Sequence, residues 1–302
     1  MKVKIQKINR RFPRKFFNVV KYLKNMKISF YVLLRLIKLR YPFSFIKYRV
    51  ISLISYSLIY PMIRLALGTK KAITICSFFE TAFRPSGILP LPPSCKSKII
   101  IPKHISDFDA YRDIYENDFY RMRMIENGMV VVDIGANIGV YTILVTEKVG
   151  ENGKVIAVEP EPQNYNQLLE NMRLNNFKNV IPQNIALTDH EGFENLYISS
   201  YSDGHSLLLR ENEIDSIKVL VRTLDGLLEE LDLKRIDIIK IDAEGSEIPI
   251  LKGAEKTLKA NPNVKIIVAA EHYPSEIEEV CQFLNKRGFK IKVSHSSIVM
   301  TV

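Results

Sequence analysis

Two glycines and two carboxylates in the middle of the chain have the types and spacing of a ligand-binding site. Gly135 and Gly139 follow the apolar, β-branched run 130–132, and they let the backbone turn tightly and approach a bound molecule. Glu159 lies 24 residues after Gly135, where a βαβ unit places the acid that accepts hydrogen bonds from two ribose hydroxyls. This spacing predicts a nucleoside site at the ends of two parallel strands. The alternative is a strand-turn-helix whose glycines only make the turn.

The same loop favours a methyl donor over a dinucleotide. The dinucleotide fingerprint is G-x-G-x-x-G, but here Ala136, Asn137 and Ile138 separate the only two glycines. Asp133, at the end of the strand, would repel a phosphate, whereas it suits a ligand that carries an ammonium and a sulfonium. We therefore predict S-adenosylmethionine as the cofactor.

A second acid-rich segment follows a later apolar run. Residues 236–241 read as a buried strand that leads into Asp242, Glu244 and Glu247. Three carboxylates at the carboxyl end of a buried strand are costly unless they bind something. The segment is therefore a second candidate for function.

The elements that position these residues alternate between strand and helix. Helices are predicted at 140–149, 163–175, 248–259 and 275–287, a capped helix at 223–231, and strands before and between them. Short runs at 195–199 and 217–222 predict an added hairpin, and 290–293 with 298–302 a closing antiparallel pair. The pattern predicts an α/β fold, a Rossmann-like doubly wound and mostly parallel sheet with an antiparallel C-terminal edge. The third strand is predicted at 180–186, and Asn184 near its carboxyl end would meet the adenine edge or serve as a turn residue.

Charge divides the 302-residue chain, whose net charge is +10, into unlike parts. Residues 1–79 hold 18 Lys and Arg without an acid, and residues 80–302 hold 25 basic and 33 acidic residues. Lysines 21, 24, 27 and 38 with Arg35 share one side of a predicted amphipathic helix. The uncharged run 50–63 is shorter than the roughly 18 to 20 residues that span a bilayer.

Three parts follow from this division: a basic helical arm (1–79), a Pro-rich connection with lead-in helices (80–128) and the cofactor-binding domain (129–302). We expect the arm to bind an anionic membrane surface, or else to pack on the catalytic domain or a second subunit; nucleic acid is a less favoured partner. A signal peptide is not indicated. The three cysteines show no C-x-x-C spacing, so we expect neither disulfides nor zinc and a cytoplasmic protein, peripheral on the inner membrane surface.

Four segments together resemble the FkbM family of methyltransferases. They are Asp133 to Gly139, Val158-Glu159-Pro160, Asn184-Ile185-Ala186-Leu187 and Lys240 to Glu247. The resemblance runs from about Asp107 to the C-terminus, with Tyr120 in its lead-in, and does not include the arm. It implies a class I S-adenosylmethionine-dependent fold and, most often, O-methylation of sugar or polyketide hydroxyls.

The resemblance also implies roles for individual residues. Glu159 would hold the ribose, Asn184 would lie by the adenine with Ala186 near it, and Asp242 would face the transferable methyl group. The methionine end of the cofactor would be shaped by the glycine loop, namely by Asp133, Gly135, Ala136, Asn137 and Gly139.

Methyl transfer to a hydroxyl needs a group that removes the proton. The candidates are Asp242, Glu244, Glu271, His272 and His205. Asp242 is the first choice; Glu244 can equally accept backbone N–H groups, and His205 can equally be a turn residue. Glu271 and His272 could supply a base or, with Asp242, a metal site, although we do not predict a metal.

The expected function is therefore O-methylation of a sugar, glycan or glycolipid hydroxyl. The rival functions are a methyltransferase acting on protein or nucleic acid and a membrane-associated scaffold that binds cofactor without turnover. A nucleic-acid methyltransferase is disfavoured because Asp242-Ala243-Glu244-Gly245 stands where an Asn-Pro-Pro-Tyr motif would be expected.

Overall fold

The structure is a computed structural model that describes residues 87–90, 95–101, 120–199, 204–209, 213–294 and 298–301. The chain divides into two units, Met1–Lys96 and Ser97–Val302. Strand β1, Gly87–Pro90, belongs to the first unit. The predicted arm 1–79 and the lead-in helices before Tyr120 lie outside the described residues. Among the described residues, no helix has both the length and the apolar character needed to cross a membrane.

The second unit is built on a seven-stranded sheet whose order is β11-β12-β10-β9-β3-β4-β5. These strands are β3 (Val130–Ile134), β4 (Lys154–Val158), β5 (Val180–Gln183), β9 (Ile238–Ile241), β10 (Lys265–Ala269), β11 (Ile291–Ser294) and β12 (Ile298–Thr301). Neighbouring strands from β10 to β5 pair in parallel, and β12 pairs antiparallel with both β10 and β11. The predicted doubly wound sheet with an antiparallel C-terminal edge is confirmed.

Apolar, β-branched sequence explains why these strands lie at the centre. Five strand side chains are fully buried, namely those of Val131, Val132, Val155, Ile156 and Ile238. Helices cover both faces of a parallel sheet, which accounts for this burial. Each fully buried aliphatic side chain of this size contributes about 1.5–3 kcal/mol. The sheet is therefore a rigid base for the loops at its carboxyl edge.

The described residues include six α-helices and a short 3-10 helix, Met122–Met124. The α-helices are α1 (Val140–Val149), α2 (Pro162–Leu174), α3 (Leu224–Glu230), α4 (Glu247–Lys252), α5 (Glu255–Ala260) and α6 (Glu276–Asn285). The Glu161 carboxylate caps α2 by accepting the Asn164 N–H at 2.7 Å, and the Thr223 hydroxyl caps α3 by accepting the Gly226 N–H at 3.0 Å. The predicted cap at Thr223 is thus confirmed.

A three-stranded sheet with the order β6-β8-β7 stands apart from the main sheet. Its strands are β6 (Ala186–Leu187), β7 (Gly192–Ser199) and β8 (Glu213–Arg222). The antiparallel β7–β8 pair is the predicted hairpin, and it is longer than the sequence indicated. The third strand was predicted to run to Ala186, but the chain leaves the main sheet after Gln183 and Ala186 pairs with Val221 of β8 instead.

Two further predictions of regular structure need correction. The helix predicted over 248–259 is two helices, separated at Gly253 and Ala254. The Gly253 backbone packs so closely on Thr188 that an added Cβ would lie 2.1 Å from the Thr188 carbonyl oxygen. In the connection expected to be irregular, strand β2 (Lys98–Ile101) docks on α2, where Asn175 and Asn171 accept its N–H groups at 2.8 and 2.6 Å.

Candidate active site

The glycine loop lies at the carboxyl end of β3, in backbone contact with the end of β9. Gly135 has φ +73°, and an added Cβ would stand 1.8 Å from the carbonyl oxygen of Asp242. The N–H groups of Gly135 and Ala136 both donate to the Val158 carbonyl, at 3.0 and 2.9 Å. Only glycine fits at position 135, because the conformation is left-handed and the space for a side chain is absent.

Gly139 completes the loop and begins α1. It has φ +93°, and a Cβ at this position would lie 2.6 Å from Cδ1 of Leu168 on α2. Between the glycines, Asn137 also adopts a left-handed conformation, with φ +52°, and its Oδ1 accepts the Ile138 N–H at 2.5 Å. The two glycines therefore serve the tight turn that the sequence predicted, and Gly139 also allows close packing of α1 on α2, which was not predicted. Approach of the loop to a bound molecule stays a prediction.

Glu159 ends β4 beside this loop, as the spacing predicted. Its Oε2 accepts the Asn137 N–H at 2.8 Å and its Oε1 accepts the Glu161 N–H at 3.0 Å. Burial raises the pKa of Glu159 to about 7, although these two backbone hydrogen bonds act in the opposite direction. The carboxylate is thus fixed to the loop at the position expected for a ribose-binding acid, and that role stays a prediction.

The contacts of Asn184 and Ala186 stabilise the local structure. Nδ2 of Asn184 donates to the carbonyls of Glu159 and Pro160 at 2.9 and 3.0 Å, so the residue braces the turn after β4. The Ala186 side chain is buried in a small apolar cluster with Leu196, Val219 and Val221. Contact of either residue with the cofactor stays a prediction, and the packing of Ala186 gives it a structural role.

Asp133 is fully buried and forms an ion pair and a hydrogen bond with other residues of the main sheet and α1. Its Oδ1 lies 3.1 Å from Nζ of Lys240, and its Oδ2 accepts the Thr142 hydroxyl at 2.5 Å. Lys240 is its register partner on β9 and also donates to the carbonyls of Ile134 and Gly135, at 3.2 and 2.7 Å. Asp133 therefore positions the glycine loop from within the sheet, and the expectation that it faces the cofactor's charges is not supported by its surroundings.

Sequence reasoning missed Lys240. A lysine in the run 238–241 could have been flagged, since a charged residue in a strand buried on both faces needs a partner. That partner is Asp133, which lies two residues before Gly135. The two side chains meet because β3 and β9 are adjacent and parallel. The missing information was the pairing of two strands that lie more than 100 residues apart.

Asp242 follows β9 directly and faces Tyr120. The Tyr120 hydroxyl donates to Oδ2 of Asp242 at 2.5 Å, and the Tyr120 ring lies edge-on to Tyr141 with Lys240 Nζ 5.2 Å from its centre. Burial, followed by the neighbouring Asp242 charge, raises the pKa of Tyr120 well above its usual value. Tyr120 therefore remains a hydrogen-bond donor to the carboxylate that we expect to face the methyl group.

His272 lies among four carboxylates, two from the loop after β9, one from α4 and one from α6. Its Nε2 is 3.4 Å from Glu244 Oε1 and 3.7 Å from Asp242 Oδ1, and its Nδ1 is 3.4 Å from Glu247 Oε1 and 3.2 Å from Glu276 Oε2. The His272 side chain is 6% exposed. The predicted candidates Asp242, Glu244 and His272 are thus brought together, and Glu247 and Glu276 join them.

The carboxylates set the protonation of this cluster. Burial alone lowers the pKa of His272, but hydrogen bonds to Glu244, Glu247 and Glu276 outweigh burial and raise it well above its usual range. Burial raises the pKa of Glu247 to about 7. Burial acts on Glu276 in the same direction, but hydrogen bonds to His272 and Glu247 outweigh it and lower the pKa of Glu276. An imidazole that holds its proton so firmly is a poor general base at neutral pH.

Glu271 and His205 are placed differently. The Glu271 side chain is exposed, and none of the contacts described for the His272 cluster involves it. His205 Nδ1 accepts the Ser199 N–H at 3.1 Å, which favours the turn role over catalysis. Its neighbour Ser206 reaches the cluster instead, because the Ser206 hydroxyl donates to the Glu244 carbonyl at 2.6 Å.

These residues fit an adenosine cofactor that carries a charged methionine. The Gly135 loop and Asp242 end neighbouring strands and are in backbone contact, so a ligand at this edge of the sheet would lie against both, and Glu159 follows the next strand, β4. Asn137, Gly135 and Glu159 would hold the cofactor, and Asp242 would lie at its reactive end.

Comparison with known proteins identifies the family. Residues 133–291 match the methyltransferase FkbM domain. "Methyltransferase 1" of Beauveria bassiana is 26% identical over 165 residues, which is 48% of this chain and 66% of the relative. The "Hexuronic acid methyltransferase AglP" of Haloferax volcanii is 25% identical over 186 residues, 59% of this chain and 72% of that protein.

One solved structure is among the matches. The crystal structure of methyltransferase FkbM from Methylobacillus flagellatus KT has a TM-score of 0.48 and 17% sequence identity, and covers 64% of this chain and 48% of that one. The chain thus spans just under two thirds of the first relative and about half of the solved chain. With the match over residues 133–291, the protein belongs to the FkbM family of S-adenosylmethionine-dependent methyltransferases.

Proposed function

We propose that the protein transfers a methyl group to a hydroxyl of a sugar, glycan or glycolipid. The observation that carries this proposal is the position of Asp242, whose backbone carbonyl packs on Gly135 and whose carboxylate lies 3.7 Å from His272 Nε2. A hydroxyl is a poor nucleophile and needs such an acceptor for its proton. The hexuronic acid methyltransferase among the relatives supports a sugar acceptor.

The residues divide the reaction between them. S-adenosylmethionine supplies a methyl group on a positively charged sulfur. The acceptor oxygen bonds to the methyl carbon as the carbon–sulfur bond breaks, its electron pair going to sulfur, and the hydroxyl proton passes to Asp242. Tyr120 and His272 fix the orientation of Asp242 from two sides, and this alignment is the main contribution that a methyltransferase makes.

Transfer of labelled methyl groups tests the proposal. The full chain is offered S-adenosylmethionine with a labelled methyl group and separate glycan, lipid, protein and nucleic acid fractions of cells. We expect label in the glycan or glycolipid fraction, and loss of this labelling in Asp242→Asn. The matched control is Glu278→Gln, an exposed acid on α6, which keeps activity.

The other outcomes separate the rival functions. Label confined to protein or nucleic acid would refute a sugar acceptor. If the wild-type protein and Asp242→Asn bind S-adenosylmethionine equally tightly, and the wild-type protein labels no fraction, the protein is a cofactor-binding scaffold without turnover.

We further propose that the basic arm holds the protein at the anionic inner face of the cytoplasmic membrane. Residues 1–79 carry no acid, and each lysine near such a surface contributes on the order of 1 kcal/mol. Replacing lysines 21, 24, 27 and 38 and Arg35 by glutamine in the full chain should abolish co-sedimentation with vesicles that contain phosphatidylserine. Unchanged co-sedimentation would refute the membrane role and leave the methyl transfer proposal intact.

A further inference from the structure

The ammonium of Lys240 is held in one place by the end of β3. Nζ lies 2.7 Å from the Gly135 carbonyl oxygen, 3.2 Å from the Ile134 carbonyl oxygen and 3.1 Å from Oδ1 of Asp133. Three acceptors match the three N–H groups of an ammonium, and the side chain is 3% exposed. A lysine side chain is otherwise flexible and strongly hydrated, so here the charge has a fixed position beside the glycine loop.

The same ammonium lies over two aromatic rings. Nζ is 5.2 Å from the centre of the Tyr120 ring and 5.9 Å from that of Tyr141, and at these distances a cation is attracted to the face of a ring. The two rings meet edge to face, with their centres 5.5 Å apart and an interplanar angle of 75°. Because Tyr120 and Lys240 are both buried, water does not weaken this attraction, and the charge helps to fix the Tyr120 ring.

Tyr120 carries this constraint to the candidate base. Its hydroxyl donates to Oδ2 of Asp242 at 2.5 Å, so the orientation of the ring sets where the hydroxyl meets the carboxylate. Tyr120 precedes the matched family domain. The next residue, Arg121, has a left-handed backbone with φ +53° and donates to the Ser294 hydroxyl at 2.5 Å. The lead-in segment thus enters the site through an uncommon conformation, and contacts with the sheet, including the Lys240 ammonium, set its orientation.

We propose that Lys240 is a positioning residue for methyl transfer, since its ammonium contacts both the glycine loop and the ring that holds Asp242. Through the Gly135 carbonyl it fixes the loop expected to bind the cofactor, and through the Tyr120 ring it fixes the hydroxyl that orients the base. One buried charge then sets the placement of methyl donor and base relative to each other, and methyl transfer depends on this alignment. This inference rests on the proposed function, in which Asp242 accepts the proton of the acceptor hydroxyl.

A cycle of variants that all carry Asp133→Asn tests the link through Tyr120. With this carboxylate neutral, Lys240→Met leaves no unpaired charge, and methionine keeps most of the length of the side chain. At saturating cofactor, Lys240→Met should lower kcat at least about five-fold in this background, and by no more than Tyr120→Phe does. When Tyr120→Phe is also present, Lys240→Met should lower kcat by less than about two-fold, because the ring no longer reaches Asp242.

The control and the cofactor affinity separate this role from others. Lys234→Met, at a side chain that is 91% exposed, should leave kcat unchanged. Equal losses of kcat with and without Tyr120→Phe would overturn the proposal. A change confined to the cofactor Kd, measured by calorimetry, would also overturn it, because Lys240 would then act on the loop alone.

Two NMR measurements without cofactor or acceptor test the same link when there is no turnover. In the wild-type protein, the Lys240 ammonium signal should lie upfield of that of the exposed Lys234, because rings shield protons over their faces; equal shifts would refute the contact. The Tyr120 hydroxyl proton, held by Asp242, should exchange with water slowly. Adding Lys240→Met to Asp133→Asn should speed this exchange at least about ten-fold.

The outcomes separate this inference from the function on which it rests. Unchanged exchange of the Tyr120 hydroxyl proton, in a protein that transfers methyl groups, would refute the role of Lys240 alone. Faster exchange in the Lys240→Met variant, with a wild-type protein that transfers no methyl group to any fraction, would refute only the proposed function.

Discussion

Lys240→Met should destabilise the protein strongly. Lys240 and Asp133 are 3% and 0% exposed and their charged atoms are 3.1 Å apart, so removing the lysine leaves an ionised carboxylate buried without a counter-charge. Breaking a buried pair in this way costs about 3–5 kcal/mol. For a domain of this size that corresponds to a fall in Tm of roughly 6–20 °C.

Asp133→Asn should cost less than Lys240→Met. Lys240 keeps two carbonyl acceptors, those of Ile134 and Gly135, when Asp133 is neutral, so the loss is about 1–3 kcal/mol. The double variant should be more stable than the sum of the two changes predicts, by about 2 kcal/mol, because neither charge is then left alone.

Urea unfolding of wild type, the two single variants and the double variant measures the coupling free energy between Lys240 and Asp133. The matched control is the pair Lys234 and Asp232, whose charged atoms are 3.7 Å apart and whose side chains are 91% and 88% exposed. Its coupling should be close to zero, as for surface ion pairs in general. If Lys240→Met and Asp133→Asn are additive, or if Lys240→Met costs no more than the Lys234→Met control, the assignment of a buried ion pair is wrong.

Three other substitutions test the loop and its acids. Gly135→Ala should abolish cofactor binding, measured by calorimetry, because the new Cβ meets the Asp242 carbonyl. Gly288→Ala, also at positive φ but in open space, should lower the free energy of unfolding by only about 1–2 kcal/mol. Tyr120→Phe should lower kcat and leave the cofactor Kd within about two-fold, since it removes only the donor to Asp242; an unchanged kcat would contradict this. Burial holds Glu159 protonated in the folded state up to about pH 7, so its contribution to stability is lost as pH rises from about 4.5 to 7. Relative to wild type, Glu159→Gln should therefore gain about 3 kcal/mol between pH 4.5 and 8 in urea unfolding, and equal pH profiles would contradict the raised pKa.

The sheet was predictable because its signals are local. Apolar runs such as 130–134 identify buried strands without knowledge of their partners, and Thr223 marks a helix start by side-chain chemistry alone. The break at Gly253 was missed: the glycine ends the first helix and its backbone packs against Thr188, a residue 65 positions earlier, which is a contact that local periodicity does not report. Helical periodicity continues across the break and therefore predicted one helix.

The candidate site was predicted in part for the same reason. Strand ends carry Asp133, Glu159, Asp242 and His272, and parallel strands bring their carboxyl ends to one edge. What each side chain does there depends on non-local neighbours: Asp133 is occupied by Lys240, and His272 is surrounded by acids from α4 and α6. No spacing in the sequence reports such contacts.

The three-stranded sheet has a consequence for how the acceptor range of this enzyme could change. Strands β6 to β8 have an apolar cluster of their own and contribute no strand to the main sheet, and the loop that carries Ser206 reaches Glu244 from this side. Insertions or exchanges within 192–222 therefore leave the β3–β4 cofactor loop and the buried Lys240 pair untouched. We therefore expect exchange of this segment between relatives to change the acceptor preference more than the affinity for the cofactor, and parallel assays of both on the exchanged proteins would check this.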